Sequence, residues 1–431
     1  MKKFIVGIFF AALSVHAQTT YYEVVGVGQS LAKGICASGC GGAGTTVSYP
    51  ASNPNKGVWS GLLVNLTNPA MGGNDYEWNG IGALHQLSKE IASWRGVFNP
   101  GDIAAGANYV SIKKGTATYA AMLTNHAAIP ALLTTAGYTP GGCAFSLNTH
   151  GEADFGNGVS ATTYAANLAE WQNDIQTDCG VSSVPMFVSQ LSVWWLGTSD
   201  STKTTPTTSG GAQGVPLGQL QAARDNIGKI FLVGPKYALE AFGGLPHLLE
   251  SSYQKINEQM GHAMAVVLQG GYWTGVQPRT IFISGATITA RYWVQSGPLV
   301  IDTSLVSDRG VGKGFEYWDD SGAPPAITGV AVSGDTVTIT LASVPTGSNK
   351  RLRYAYTEEG LPTAGLGPRG NLRDSDPAVG DLSGAHLYNW AVHSDDAIPF
   401  NGPLYAGRGP ANNRNPSVDG RGTVRGRGRI Q

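Results

Sequence analysis

The first group that could do chemistry is a serine placed directly after an apolar run. Ser30 ends the tripeptide Gly28-Gln29-Ser30, which follows the β-branched run Tyr22–Val27. Parallel sheets bind ligands at the carboxyl ends of their strands, and a serine there exposes its hydroxyl and offers its backbone N–H to an oxyanion. Glycine-x-serine after a strand is common, and a serine that only caps a helix is the alternative.

The candidate base is a histidine near the end of the same part of the chain. His247 lies between the predicted strand Ile230–Val233 and the predicted helix Ser251–Val266. A histidine in the last loop of a sheet can reach a serine at the end of the first strand, as a general base must. A loop histidine taken alone is more often simply exposed. Together, the serine and the histidine predict acyl transfer.

Two further motifs follow predicted strands. Gly115 lies in a Lys-Gly-Thr turn after the predicted strand Tyr109–Ile112, where its N–H could approach a substrate carbonyl closely. The alternative is an ordinary turn glycine. His150, Glu152 and Asp154 follow the predicted strand Ala144–Asn148. The alternative for Glu152 and Asp154 is that they lie at a helix N-terminus, which favours negative charge.

These residues are carried by alternating strands and helices, which predict βαβ units and a parallel sheet with helices on both faces. The predicted strands are Tyr22–Val27, Tyr109–Ile112, Ala144–Asn148, Val184–Gln190 and Ile230–Val233. The predicted helices are Ile81–Trp94, Thr163–Ile175 and Ser251–Val266. After about residue 272 the chain becomes rich in Thr, Val and Ile with alternating polarity, which predicts a second, all-β region. Its predicted strand segments are Phe282–Val294, Leu299–Asp302, Val330–Leu341 and Arg351–Tyr356.

The two ends of the chain differ from the rest. Lys2 and Lys3 precede an apolar run that ends in Val15-His16-Ala17, which predicts a secretory signal peptide cut before Gln18. We therefore expect a secreted or periplasmic protein. No later run reaches 18 apolar residues, so no membrane span is predicted. The expected domains are 1–17 signal peptide, 18–270 catalytic domain, 271–407 β-rich domain and 408–431 flexible Arg/Gly-rich tail.

Charge and cysteine content exclude some partners. The formal net charge is −1, so the electrostatic potential of the whole protein does not favour binding to nucleic acid. The Arg-rich tail is interpreted as a solvated segment rather than as an anion-binding one. Four cysteines allow three disulfide pairings. They are Cys36, Cys40, Cys143 and Cys179. The C-x₃-C spacing without nearby histidines is weak support for a metal site. No metal or cofactor is predicted, and the oligomeric state stays open.

Taken in order, the motifs resemble those of the SGNH/GDSL hydrolases, in the carbohydrate O-acetylesterase branch related to sialate O-acetylesterases. The matches are Gly28-Gln29-Ser30, Gly115-Thr116, His150-Gly151-Glu152-Ala153-Asp154, His247-Leu248 and Tyr253. The resemblance covers residues 21–270. It implies a flavodoxin-like three-layer α/β/α sandwich with a parallel sheet, followed here by a smaller all-β region.

The resemblance also implies roles. Ser30 would attack an ester carbonyl and His247 would take its proton. The N–H groups of Ser30 and Gly115 would hold the oxyanion. His150 stands where the branch has a glutamine, and it is predicted to be the third oxyanion donor.

One departure concerns the acid. The family has an aspartate three residues before the histidine, and that position here is Gly244. A backbone carbonyl could orient His247 instead, or Glu152 could serve as the supporting acid.

The function expected from the resemblance is an exported serine esterase that hydrolyses acyl esters of carbohydrates, O-acetyl esters above all. An esterase of lipids or simple esters is a less favoured reading of the same site, because no long apolar lid-like helix is predicted. The alternative from another class is a non-catalytic carbohydrate-binding protein on a degraded hydrolase fold, which the missing acid at Gly244 would favour.

Overall fold

The computed structural model describes six stretches of the chain, and all structural statements below refer to them. They are residues 18–35, 53–67, 78–192, 214–240, 247–357 and 368–403. The predicted signal peptide, the Arg-rich tail, Cys36, Cys40 and Gly244 lie outside the described residues.

One seven-stranded sheet organises the N-terminal part. Its strands are β1 (Thr20–Gly28), β2 (Lys56–Trp59), β3 (Leu62–Asn65), β4 (Gly96–Ile103), β5 (Thr139–Thr149), β6 (Met186–Gln190) and β7 (Ile230–Pro235). The spatial order is β3-β2-β4-β1-β5-β6-β7, and every neighbouring pair is parallel except β2 with β3. Without the β2–β3 hairpin, the five remaining strands have the order 2-1-3-4-5. The strand order therefore reverses beside β1, although all five strands are parallel.

Helices cover both faces of this sheet. They are α1 (Ser30–Lys33), α2 (Asn79–Glu90), α3 (Tyr109–Ile112), α4 (Ala117–Thr135), α5 (Glu152–Gly156), α6 (Ala161–Asp178), α7 (Gly214–Asp225) and α8 (Glu250–Leu268). Apolar residues of α2 and α8 pack on one face, against Val24 and Phe145. Those of α3, α4, α6 and α7 pack on the other, against Val25 and Val27. The result is a three-layer α/β/α arrangement, and α2, α6 and α8 confirm the three predicted helices.

The strand predicted at Tyr109–Ile112 is wrong, because those residues form α3. The sheet uses β4 instead, which carries Pro100 and Gly101 and does not look like a strand in the sequence. Its pairing with β1 shifts by one residue between Asn99 and Asp102. Pro100 and Gly101 occupy this bulge, where a strand tolerates residues that cannot serve a regular ladder. The bulge therefore hid the second parallel strand.

The C-terminal part is all-β, as predicted. Its strands are β8 (Gln277–Ser284), β9 (Thr287–Trp293), β10 (Val300–Ile301), β11 (Phe315–Trp318), β12 (Ile327–Ser333), β13 (Thr336–Leu341), β14 (Arg351–Tyr354), β15 (Leu372–Arg373), β16 (Ser394–Ala397) and β17 (Phe400–Asn401). They form antiparallel sheets in the orders β12-β13-β9-β8-β17, β11-β14-β16 and β10-β15. Their common core includes Tyr237 from just after β7, whose hydroxyl donates to Ala391 O over 2.6 Å. The two parts therefore share a buried boundary.

Two smaller expectations can be compared with the described residues. Cys143 on β5 and Cys179 after α6 form a disulfide, which is one of the pairings left open by the sequence. No helix in the described stretches is both long and apolar enough to cross a membrane.

Candidate active site

The turn after β1 places Ser30 at the carboxyl edge of the sheet. Gly28 has φ of +139°, and a Cβ at this position would lie 2.3 Å from Thr149 O. Only glycine fits, because a side chain would both strain the backbone and collide with β5. Gln29 N donates to Thr149 O over 3.3 Å, and Ser30 then begins α1. The serine hydroxyl thus emerges where the strand order reverses, the usual ligand position in such sheets.

His247 meets this serine. Its Nε2 lies 2.8 Å from Ser30 Oγ, although the two residues are 217 positions apart in sequence. Leu31 of α1 packs with Leu248 and Tyr253, and this cluster brings the histidine segment onto the serine turn. The Tyr253 hydroxyl accepts from Leu248 N over 3.3 Å. The geometry is that of a nucleophile and its general base.

The imidazole of His247 is only partly buried. Burial lowers its pKa below 6.5, and the negative charge of Glu152 acts in the opposite direction. A neutral ring is the form that can accept a proton from serine. Its Nδ1 is buried and has no hydrogen-bond partner among the described residues. Gly244, where the family would supply an acid, lies in the stretch 241–246, which is not described.

Glu152 forms a buried ion pair beside this site. Its Oε1 accepts from Lys236 Nζ over 2.8 Å, and the lysine side chain is fully buried. Glu152 Oε2 is buried as well, without a hydrogen-bond partner in the described part of the chain. Ala153 N donates to Gln29 Oε1 over 3.3 Å, which joins the start of α5 to the serine turn. One carboxylate oxygen is therefore held while the other stays available.

Both ring nitrogens of His150 already have hydrogen-bond partners, whereas its predicted role as an oxyanion donor requires an N–H directed at the substrate. Its Nε2 is 3.1 Å from Ala107 O and its Nδ1 is 2.8 Å from the Tyr164 hydroxyl. Because a carbonyl can only accept, Nε2 carries the proton and Nδ1 accepts from Tyr164. Burial lowers the pKa of His150 to about 4, so the ring is neutral. It could donate to a substrate oxyanion only by giving up its bond to Ala107.

Gly115 lies in an exposed turn before α4, with φ of +93°. The lysines before it pair with α6: Lys113 with Glu170 at 3.2 Å and Lys114 with Asp178 at 2.7 Å. No described contact joins Gly115 to Ser30 or His247. The predicted oxyanion role for Gly115 depended on the strand that proved to be α3.

The loop after β4, residues 104–108, lies beside the serine turn, and no motif in the sequence marked it. Ala104 N donates to Gly28 O over 3.1 Å, so the loop leaves the sheet beside the serine turn. Two residues after β5 anchor it: His150 at Ala107 O and Asp154, whose Oδ2 accepts from Tyr109 N over 2.9 Å. Burial raises the pKa of Asp154 to about 6. Correct placement of β4 would have been the signal for this loop.

One cluster has the residue types of a metal site. The ligand atoms of His126, Cys143 and Cys179 lie within 4.8 Å of one another. Both sulfurs are joined in the disulfide, so they are not thiolate ligands.

Comparison with known proteins gives a similarity of fold. No protein-family model matches the chain, and no curated protein matches it. A carbohydrate acetylesterase from Xanthomonas citri has a similar structure, with a TM-score of 0.57 and 12% identity over 87% of this chain and 80% of that one. A protein from Arabidopsis thaliana aligns with a TM-score of 0.42 and 13% identity, over 57% of this chain and 98% of that one. At 12% identity the first similarity describes the fold alone.

Proposed function

We propose that this chain is a serine esterase of the SGNH type that removes acyl groups, O-acetyl groups above all, from carbohydrates. The observation that carries the proposal is the 2.8 Å contact between Ser30 Oγ and His247 Nε2 at the carboxyl edge of a doubly wound sheet. Such edges hold ligands, and a serine in contact with a neutral histidine is equipped for nucleophilic acyl transfer.

The reaction would proceed in two steps. Ser30 Oγ attacks the ester carbonyl while His247 Nε2 takes the hydroxyl proton. The oxyanion is stabilised by the backbone N–H of Ser30 and by N–H groups of the loop 104–108. His247 then protonates the sugar oxygen as its bond to the acyl carbon breaks, which releases the sugar hydroxyl and leaves an acyl-enzyme. Water, deprotonated by His247, attacks this intermediate, and His247 returns the proton to Ser30 Oγ as the bond between Oγ and the acyl carbon breaks and acetate is released.

Glu152 is the group we propose as the supporting acid. Its charge raises the pKa of His247 against the effect of burial, and it therefore favours the imidazolium that forms in each step. Lys236 holds Oε1, so Oε2 is the oxygen left to face the positive ring. Glu152 would then act through charge, without the direct hydrogen bond that an aspartate at position 244 would make.

Three observations support a carbohydrate substrate. The similar solved structure is named a carbohydrate acetylesterase. Trp59 and Trp78 form an edge-to-face pair with centroids 5.5 Å apart, and Lys33 Nζ of α1 lies 5.6 Å from the Trp78 ring. Trp59 is half-buried and packs on Trp78, and we propose its ring as a surface on which a sugar stacks. The signal peptide predicted from the sequence would direct such an enzyme out of the cytoplasm, and we propose a secreted or periplasmic protein.

The test is acetate release from p-nitrophenyl acetate and from a panel of O-acetylated glycans, by the wild type and by Ser30→Ala. We expect hydrolysis by the wild type and none above background by Ser30→Ala, because the nucleophile is lost. Glycans turned over faster than the simple ester would identify the substrate class. Equal activity in the two proteins would refute the serine mechanism.

A second function is favoured by the Nδ1 of His247, which has no hydrogen-bond partner among the described residues. Without an orienting acid the site could bind acylated carbohydrate without hydrolysing it. A serine-directed organophosphonate separates the two functions. Covalent labelling that disappears in Ser30→Ala identifies an esterase, whereas an inert serine combined with glycan binding identifies a binding protein.

A further inference from the structure

A buried histidine of the C-terminal part reaches the edge of the sheet that carries the candidate site. His393 lies just before β16 and is fully buried. Its Nδ1 is 2.6 Å from Ala355 O and its Nε2 is 2.8 Å from Ser192 Oγ, just after β6. Since Ala355 O only accepts, Nδ1 carries the proton and Nε2 accepts the Ser192 hydroxyl proton. Burial lowers the pKa of His393 to about 4, which keeps this neutral form.

Ser192 connects His393 to Lys236, the lysine of the ion pair at the site. While its hydroxyl donates to His393, its oxygen accepts from the backbone N of Lys236 over 2.8 Å. The side chain of the same lysine donates to Glu152 Oε1. Ser192 and Lys236 are fully buried, and Glu152 is nearly so. Hydrogen bonds therefore run from Ala355 through His393 and Ser192 to the backbone of Lys236, and the side chain of that lysine links them covalently to the ion pair with Glu152.

The backbone of His393 is held at the same edge. Gln190, the last residue of β6, accepts from His393 N over 2.9 Å through Oε1 and donates to His393 O over 3.1 Å through Nε2. These two bonds pair residue 393 with the end of the parallel sheet much as a neighbouring strand would. The histidine ring is thus held from both its backbone and its side chain.

A different histidine binds the same C-terminal stretch away from the site. His262 of α8 lies with Nδ1 2.9 Å from Glu90 of α2 and Nε2 3.4 Å from Asp376. Its nearest charged neighbours in the described residues are these two carboxylates, which raise its pKa to about 9. No described hydrogen bond leads from His262 to Ser30, His247 or Glu152. It fixes the C-terminal part to the helical layer only.

We propose that the C-terminal part belongs to the scaffold of the active site, and that His393 is the positioning residue through which it sets Lys236 and Glu152. The inference rests on the proposed function, in which Glu152 supports His247. Under this inference the C-terminal part is not an independent module joined to a complete catalytic domain. Its last described stretch supplies His393, which contacts Ser192 next to the residue that pairs with Glu152.

The experiment compares three single variants of the full chain: His393→Leu, Ser192→Ala and the control His262→Gln. We expect kcat on p-nitrophenyl acetate to fall about 10- to 100-fold in the first two with little change in KM, because displacement of a catalytic group costs rate more than binding. His262→Gln should lower Tm and leave kcat within about twofold. His393→Gln keeps a donor and an acceptor and should recover part of the rate.

A double-variant comparison separates positioning from general loss of packing. His393→Leu and Ser192→Ala interrupt the same series of hydrogen bonds, so the double variant should lose little more kcat than the worse single variant. Ser192→Ala combined with His262→Gln should show independent effects on kcat and Tm. A kcat for His393→Leu within twofold of the control, in folded protein, would overturn the inference and leave the esterase assignment intact.

The inference also has a readout that does not need catalysis. If the wild type hydrolyses no ester, the proposed function fails, and the ring resonances of His247 in ¹⁵N-labelled protein decide the inference. They should shift in His393→Leu and Ser192→Ala and stay in place in His262→Gln. Unchanged His247 resonances in all three variants would overturn it.

Discussion

Two buried glutamates in the parallel sheet domain are treated in opposite ways. Glu23, in the middle of β1, has both oxygens engaged, with Asn99 Nδ2 at 2.7 Å and His126 Nδ1 at 2.6 Å. Glu152, at the carboxyl edge, has one oxygen on Lys236 and the other without a hydrogen-bond partner in the described part of the chain. Buried polar groups are normally hydrogen-bonded, and an unsatisfied carboxylate oxygen beside a candidate site is one that a reacting group can use.

The histidines near the two glutamates differ in the same way. Glu23 raises the pKa of His126, which favours a closed ion pair. Burial lowers the pKa of His247 and leaves a neutral base against Ser30. We interpret the first arrangement as stabilising the fold and, under the proposed function, the second as suited to proton transfer. Each prediction below tests that division, beginning with the largest expected effect.

Removal of the two histidines should separate rate from stability. His247→Ala should reduce kcat by about 10⁶-fold, as loss of the base does in a serine hydrolase. His126→Ala should leave kcat on p-nitrophenyl acetate near the wild-type value while lowering Tm. Steady-state kinetics and thermal unfolding measure both. A large loss of kcat in His126→Ala would show that the Glu23 cluster takes part in catalysis and would break the comparison.

Neutral substitutions of the two glutamates should likewise affect different properties, the rate for Glu152 and the stability for Glu23. Glu152→Gln should lower kcat by up to about 10⁴-fold, the loss seen when a supporting acid is removed. Glu23→Gln should instead lower the free energy of unfolding by about 1–3 kcal/mol, because the His126 side chain loses its charged acceptor. Denaturant unfolding measures the second effect. If Glu152→Gln kept full kcat, Glu152 would be structural and the acid would have to be sought elsewhere.

The disulfide behind Glu23 should matter for stability alone. Cys143→Ser combined with Cys179→Ser opens a loop closed over 36 residues, which should lower the free energy of unfolding by about 2–4 kcal/mol. We expect kcat to be unchanged well below the new Tm. Comparing kcat at two temperatures in both proteins checks this, and a loss at the lower temperature would speak against a purely stabilising role.

The smallest effect is the opposite pH dependence of the two histidines. The raised pKa of His126 contributes stability that is complete below 6.5 and is lost as pH rises through its folded value. The lowered pKa of His247 should place the acid limb of kcat/KM below pH 6.5. Unfolding free energies of wild type and His126→Gln should therefore converge as pH rises. An acid limb above pH 6.5 would contradict the lowered pKa of His247.

Some of the fold and site could be predicted locally. The run Tyr22–Val27 followed by Gly-Gln-Ser predicted a strand and a turn. The structure has β1 there, and a Cβ at Gly28 would collide with Thr149 O. The helices α2, α6 and α8 show in their apolar spacing, which is a property of neighbouring residues. Gly115 was different, because its prediction depended on a strand that is a helix. A bulged strand with Pro100 has no local periodicity to reveal it.

The sequence by itself determined which chemistry was available: a serine after a glycine turn, a histidine before the last helix, and an acid at a strand end. Only the tertiary structure decided which of these meet. It brought His247 to Ser30 across 217 positions, engaged both nitrogens of His150, and paired Glu152 with Lys236, a residue that no motif marked. The physical reason is that hydrogen-bond partners of buried groups are chosen by packing between distant segments. The spacing of residues along the sequence does not show which distant segments pack together.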